Sequence, residues 1–206
     1  MALHHVFDLL GVAVFAASGV LAAGRKGMDL IGVAVIAMVT ALGGGTLRDV
    51  LLDRHPIVWI ADVSYLWTSI AATAATLLYV RRHVPPLRAL LVADTFGLAF
   101  FSIGGTQIAQ QAGQSGIVAV LMGTMTGVAG GIVRDVLSAE VPMLLRPGGL
   151  YASAALGGTT GYLAFEALGL PHAVAAVSGM GIVVVVRLAS VFWKIDLPAL
   201  RLPGDD

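Results

Sequence analysis

The stretch Thr40-Ala-Leu-Gly-Gly-Gly-Thr-Leu-Arg-Asp49 closes an apolar run, and 86 residues later the chain reads Thr126-Gly-Val-Ala-Gly-Gly-Ile-Val-Arg-Asp135. Sliding the sequence by 86 extends the match without a gap. Asp8 meets Asp94, Gly11 meets Gly97, Phe15 meets Phe101, Gly19 meets Gly105 and Gly27 meets Gly113. Arg48-Asp49-Val50-Leu51 meets Arg134-Asp135-Val136-Leu137, and Pro56 meets Pro142, Tyr65 Tyr151 and Thr73 Thr159. Sixteen of the 49 positions from 8 to 56 are identical. Composition bias produces matched glycines, but not matched Arg-Asp pairs, aspartates and prolines in one register. The chain is read as one unit present twice.

Around these segments the sequence is 58% hydrophobic and only 12% charged, against roughly 25% charged in a soluble domain. A soluble fold needs a polar surface that this chain cannot build, so lipid must solvate its exterior. A membrane-spanning helix needs about 20 largely apolar residues. Seven such runs are found, at 5–23, 29–52, 62–80, 88–108, 116–137, 148–167 and 172–193. Continuous runs without dyad alternation disfavour a β-barrel. The segment Val6 to Ala23 lacks a basic leader and reads as a first span rather than a cleaved signal peptide.

Three spans per unit is an odd number, so the second copy must run opposite to the first. The fold class expected is an all-α integral membrane protein of seven transmembrane helices: two inverted three-helix repeats plus a seventh helix. The expected boundaries are 5–80 for the first repeat, 81–87 for a basic cytoplasmic linker and 88–167 for the second repeat. The seventh helix follows at 172–193 and a cytoplasmic tail at 194–206. Arg25, Lys26, Arg81, Arg82, Arg88, Arg146, Lys194 and Arg201 then fall on one face, and the positive-inside rule puts the N-terminus outside and the C-terminus in the cytoplasm. Arg81 and Arg82 can also attract anionic lipid. Trp59, Trp67 and Trp193 fit interfacial anchors, with bundle packing as the alternative for Trp67.

Three consecutive glycines favour a helix break, and Thr46 with Asp49 has capping-box spacing for a short second half-helix. Gly43, Gly44 and Gly45 are therefore read as one break and Gly130 and Gly131 as another, near opposite faces. Freed backbone groups at that depth require protein or a water-filled cavity around them, so the two breaks suggest a polar path constricted at each end. Close packing of helices is the competing reading for Gly19, Gly43, Gly105 and Gly131. Adjacent on a helix, Arg48 and Asp49 diverge by about 100° and are expected to pair across helices. Arg48 and Arg134 either attract an anion or tie the broken helices to Asp8 and Asp94. Those two aspartates either stabilise helix starts or stand at a cavity mouth. Ser18, Thr40, Ser102, Gln107, Thr124 and Thr126 either line a path or bond across helices. Path candidates are accordingly Asp8, Ser18, Thr40, Arg48, Asp49, Asp94, Thr126, Arg134 and Asp135.

Charge is balanced, 12 basic against 12 acidic residues, which gives no reason to propose nucleic acid. Without cysteine, disulfides and thiolate chemistry are excluded. His4, His5, His55, His83 and His172 lack metal-site spacing, and no cofactor is expected. Ser18-Gly19 with His172 as base faintly suggests an intramembrane serine protease, but no oriented triad follows and the repeat would go unexplained. No enzymatic activity is expected.

On Asp8 to Gly19, Thr40 to Leu52, Asp94 to Gly105 and Thr126 to Leu137, the chain resembles the bacterial glycine-transporter domain family, in two tandem copies over about residues 5–167. That family is similar in fold to the trimeric intracellular cation (TRIC) channels, which have two three-helix repeats, a seventh helix and a pore in each protomer. The resemblance implies a multi-pass protein of the bacterial inner membrane, a homotrimer, and membrane lipids as surroundings. It also implies glycine-broken second and fifth helices. Its implied function is transport of a small solute, glycine or another small amino acid, with a monovalent-cation (K⁺) channel as the alternative and a scaffold third. Ala129 and Ile132 depart from a perfect repeat and put the equality of the two gates in question.

Overall fold

Asp29 accepts a hydrogen bond from the Gly32 amide at 2.7 Å and caps the helix that carries the first glycine run. The structure, a computed structural model, describes residues 2–86, 88–146, 149–193 and 195, without the side chains of 2–4. Among these are α1 (Ala2–Arg25), α2 (Leu30–Leu51), α3 (Val58–Ala61) and α4 (Ser64–Arg82). They are followed by α5 (Ala89–Gln111), α6 (Gly116–Leu137), α7 (Ala152–Ala167) and α8 (His172–Trp193). The expected tail at 194–206, with Lys194 and Arg201, lies outside the described residues except for Ile195, as does the His4 side chain.

Among the described residues, five helices are long and apolar enough to cross a membrane: α1 from His5, α2, α5, α6 and α8. The run expected at 62–80 is α4, which starts two residues later, and the turn before it holds α3. The run expected at 148–167 shortens to the 16 residues of α7. Trp67 is 67% exposed, which removes the bundle-packing alternative.

Helices α1 and α5 are antiparallel neighbours. Asp8 lies against Gly104, Gly11 against Phe101 and Phe15 against Gly97, while Phe15 and Phe101 stack with centroids 5.2 Å apart. The 86-residue register relates the Gly11–Phe101 contact to the Phe15–Gly97 contact. Helices α2 and α6 cross the same way. A Cβ on Gly44 would run into the Thr126 carbonyl oxygen, and one on Gly130 into the Thr40 carbonyl oxygen. On the far side of α5, Leu98 and Ile103 join Tyr162 of α7 and Ala175 and Val183 of α8 in the largest apolar core.

The crossing corrects the expected helix breaks. Both α2 and α6 run without interruption through Gly43, Gly44, Gly45, Gly130 and Gly131. The missing side chains at Gly44 and Gly130 serve backbone-to-backbone approach, as small residues do between membrane helices. Thr46 does not cap a second half-helix; its hydroxyl donates to the Leu42 carbonyl at 2.8 Å and accepts from Trp59 Nε1 at 3.0 Å. Gly19, Gly105 and Gly131 also sit in tight contacts, whereas Gly43 meets nothing within 4 Å. Asp8 and Asp94 are not in the first turns of α1 and α5, so the helix-start reading does not hold for them.

The turns repeat as the helices do. Gly27 and Gly113 have φ of 66° and 75°, and Asp53 and Ala139 have φ of 51° and 53°. Ala139 carries a side chain in a left-handed conformation that costs roughly 1–2 kcal/mol. Ala139→Gly is therefore expected to raise the melting temperature in detergent by a few degrees, and a lowered one would refute the strain.

Candidate functional site

Two clusters of buried charge lie at opposite ends of the α1/α2/α5/α6 group. At the first, which we call the Arg48 end, Arg48 Nε donates to Asp49 Oδ1 at 2.9 Å and Asp49 Oδ2 accepts the Val58 amide at 2.9 Å. The Tyr65 hydroxyl donates to Asp8 Oδ2 at 3.1 Å. At the Arg134 end, Arg134 Nε donates to Asp135 Oδ1 at 2.8 Å and Asp135 Oδ2 accepts the Met143 amide at 2.8 Å. Each Arg-Asp pair thus closes on itself, because the long arginine folds back along the helix end while the short aspartate holds the following loop. The expectation of cross-helix pairing fails for Arg48 and Asp49.

Arg134 goes further. Its Nη1 donates to Asp94 Oδ1 at 2.6 Å and to Ser18 Oγ at 3.1 Å, and it is fully buried. This single guanidinium joins α6 to α5 and α1. Under the repeat, Ser18 corresponds to Gly104, so the hydroxyl at the Arg134 end has no counterpart at the other.

Each end opens into a cavity. The one at the Arg48 end is about 380 Å³ and reaches Asp8, Arg48, Tyr65, Gly104 and Gln107, with His5 and Arg54 at its mouth. The one at the Arg134 end is about 230 Å³; its lining includes Asp135 and Ser138 but neither Asp94 nor Arg134. Lys26 pairs with Glu140 there, and Arg146 Nη2 reaches the same carboxylate at 3.2 Å. The Lys26 hydrogen bond holds the Glu140 carboxyl below the usual carboxylate range. The cavities are counterparts in register, since Arg54 corresponds to Glu140 and Gln111 to Arg25.

Of the residues singled out in the sequence, the structure brings together Asp94, Arg134, Asp135 and Ser18 at one end and Asp8, Arg48 and Asp49 at the other. Thr40 and Thr126 are buried at the crossing, their hydroxyls returned to the Ile36 and Met122 carbonyls at 2.6 Å, so they line neither cavity. Ser102 and Thr124 are likewise buried. Sequence reasoning missed Tyr65 and Tyr151 as site residues, although their match in register was the available signal. His172 pairs with Glu166 and Tyr162 rather than Ser18. Among the described residues no group of three or more His, Asp or Glu forms a metal site.

The model of a family described as "Glycine transporter" matches residues 5–81 and 91–167. A UPF0126 membrane protein of Vibrio cholerae is 43% identical over 202 residues, covering 96% of this chain and 83% of its own. The UPF0126 inner membrane protein YadS of Escherichia coli is 42% identical over 198 residues, covering 95% of each chain. The TRIC trimeric intracellular cation channel orthologue of Rhodobacter sphaeroides superposes with a TM-score of 0.89 at 33% identity, over 95% of this chain and all of that one. A chain solved in work on conductance through TRIC cation channels gives 0.85 at 34% identity, over 97% and 98% of the two chains.

Proposed function

Because the chain belongs to the UPF0126 glycine-transporter family and has the TRIC-channel fold, we propose that it conducts monovalent cations across the inner membrane. It is a multi-pass membrane transport protein and not an enzyme. Ions would pass between the two cavities, through the contact of α1, α2, α5 and α6. The observation that carries this reading is the pair of register-related cavities at opposite ends, separated by the Arg134–Asp94–Ser18 contact and the stacked Phe15 and Phe101. The Arg134 contact is the closed gate, and Asp8 is the carboxylate that faces an arriving cation.

In this reading α1, α2 and α4 form the first repeat within 5–80, and 81–87 links it to the inverted second repeat within 88–167. Helix α8 at 172–193 is the seventh span. The Arg48 end faces outward and the basic connections face the cytoplasm. Three chains assemble, as in the trimeric Rhodobacter sphaeroides relative. The apolar groove of about 510 Å³ on α2 to α4, lined by Met38, Leu42, Gly43, Trp59 and Leu66, is covered by a second copy or by lipid.

A second reading rests on the mixed lining of the larger cavity, where Asp8 faces Arg48 and Arg54: an ammonium and a carboxylate fit such a lining, as in glycine. The two readings separate in planar bilayers and proteoliposomes. Unitary currents that reverse near the K⁺ rather than the Cl⁻ equilibrium potential are expected. Saturable labelled-glycine uptake without such currents would reverse the order.

A further inference from the structure

The buried charges of the two ends differ through a residue that stands outside the repeat. Asp8, Asp49 and Arg48 carry one net negative charge, and their counterparts Asp94, Asp135 and Arg134 carry the same. At the Arg134 end, however, α8 adds Arg187. This side chain is 5% exposed, and its guanidinium carbon stands 4.8 Å over the Tyr151 ring. Its Nε has no hydrogen-bond partner among the described residues. Tyr151 is 2% exposed, and its hydroxyl and Asp94 Oδ1 both press on Gly131, at 2.7 and 3.2 Å from where a Cβ would stand. Tyr65, the counterpart of Tyr151, meets instead the edge of His5 from α1, with centroids 5.6 Å apart.

An ionised side chain buried within a membrane helix is costly and points to function. Arg187 is six positions short of Trp193, where α8 ends, so it is not one of the charges at a span's edge that set topology. Its only aromatic partner among the described residues is the tyrosine beside the gate.

We propose that Arg187 is the positioning residue of the Arg134-end gate. Seated on the Tyr151 ring, it holds the tyrosine hydroxyl beside Asp94 and brings the buried cluster to zero net charge. A cation arriving between Asp94 and Asp135 then meets no uncompensated carboxylate. The seventh helix thereby closes one end of the path, and the opposite end, whose further cation is the half-exposed Arg54 at 3.7 Å from Asp49, keeps the larger cavity. This inference rests on the conduction reading.

The test uses the full chain in lipid bilayers. Arg187→Met is expected to raise the open fraction about tenfold, the scale that one desolvated cation–π contact supports, with unit conductance unchanged. Arg187→Lys keeps a cation over the ring and should restore most of the closure. The methionine variant should melt at or above the wild-type temperature, because a buried charge is gone; a merely structural arginine would lower the melting point and leave the open fraction alone. The same opening can be read without current. In a chain that has no native cysteine, Ser18→Cys, whose sulfur would stand at the gate beside Arg134, should label with a small cationic thiol reagent about tenfold faster when combined with Arg187→Met. Unchanged labelling overturns the proposal. Faster labelling in a protein that passes no cation current sustains it and overturns conduction instead.

Discussion

Gly44→Leu is expected to insert and remain helical yet lose all flux, and Gly130→Leu to do the same. Each position lies where one helix backbone meets the carbonyl oxygen of the other, Gly44 at Thr126 and Gly130 at Thr40. The first atom of any side chain at either glycine therefore meets main chain, which cannot rotate away. Even Gly44→Ala should cost about 1–3 kcal/mol, the range for overpacked cores, and a leucine considerably more. Because α2 ends in Arg48-Asp49 and α6 in Arg134-Asp135, spreading the crossing moves both charge clusters at once. The measurement is thermal unfolding in detergent alongside flux in liposomes. A Gly44→Ala protein with wild-type melting and flux would show that the helices do not meet there.

Asp94→Asn should be the most damaging single change of charge. Arg134 is fully buried and donates its shortest hydrogen bond to Asp94, at 2.6 Å. Breaking a buried pair by removing one partner typically costs about 3–5 kcal/mol, since the remaining charge stays desolvated. Here Asp135 still holds Arg134 Nε, which places the expectation at the lower end of that range. The gate loses its bond between α5 and α6, so flux per folded protein should rise. Combining Asp94→Asn with Arg134→Gln removes both charges, and most of the lost stability should return. A double variant as unstable as the single one would mean that the two side chains are not energetically coupled. The comparison needs only unfolding curves for four proteins, and it does not depend on what ion or solute passes.

The duplication was legible because it lies in residue identity, and identity at a spacing of 86 needs no structure to be seen. The duplication also makes the contacts found in the structure come in pairs: Gly44 meets the Thr126 carbonyl as Gly130 meets that of Thr40. What the glycines do there was not legible. A glycine run is compatible with a broken helix and with a close crossing, and the choice belongs to the neighbouring helix, which local sequence does not describe. The crossing holds α2 and α6 continuous by taking up the space that side chains would have filled. The same reason hid the pairing of Arg48 with Asp49. Spacing on a helix says where Cβ atoms point, but an arginine has enough length to turn back on its neighbour. Tyr151 was matched to Tyr65 in register, but nothing local marked it as standing beside a buried charge, and Arg187 escaped because it lies outside the repeat, where register gives no guide. Arg187 still left a trace, as an ionised residue between Val186 and Leu188 in an otherwise apolar run.

A path whose two ends superposed perfectly would pass ions equally in both directions. Rectification can therefore come only from residues that break the register, and three of these stand at the charged ends. Ser18 answers Gly104, Glu140 answers Arg54, and Arg187 answers nothing. Any preferred direction of current resides in those side chains, while the helices that carry them are indifferent to direction.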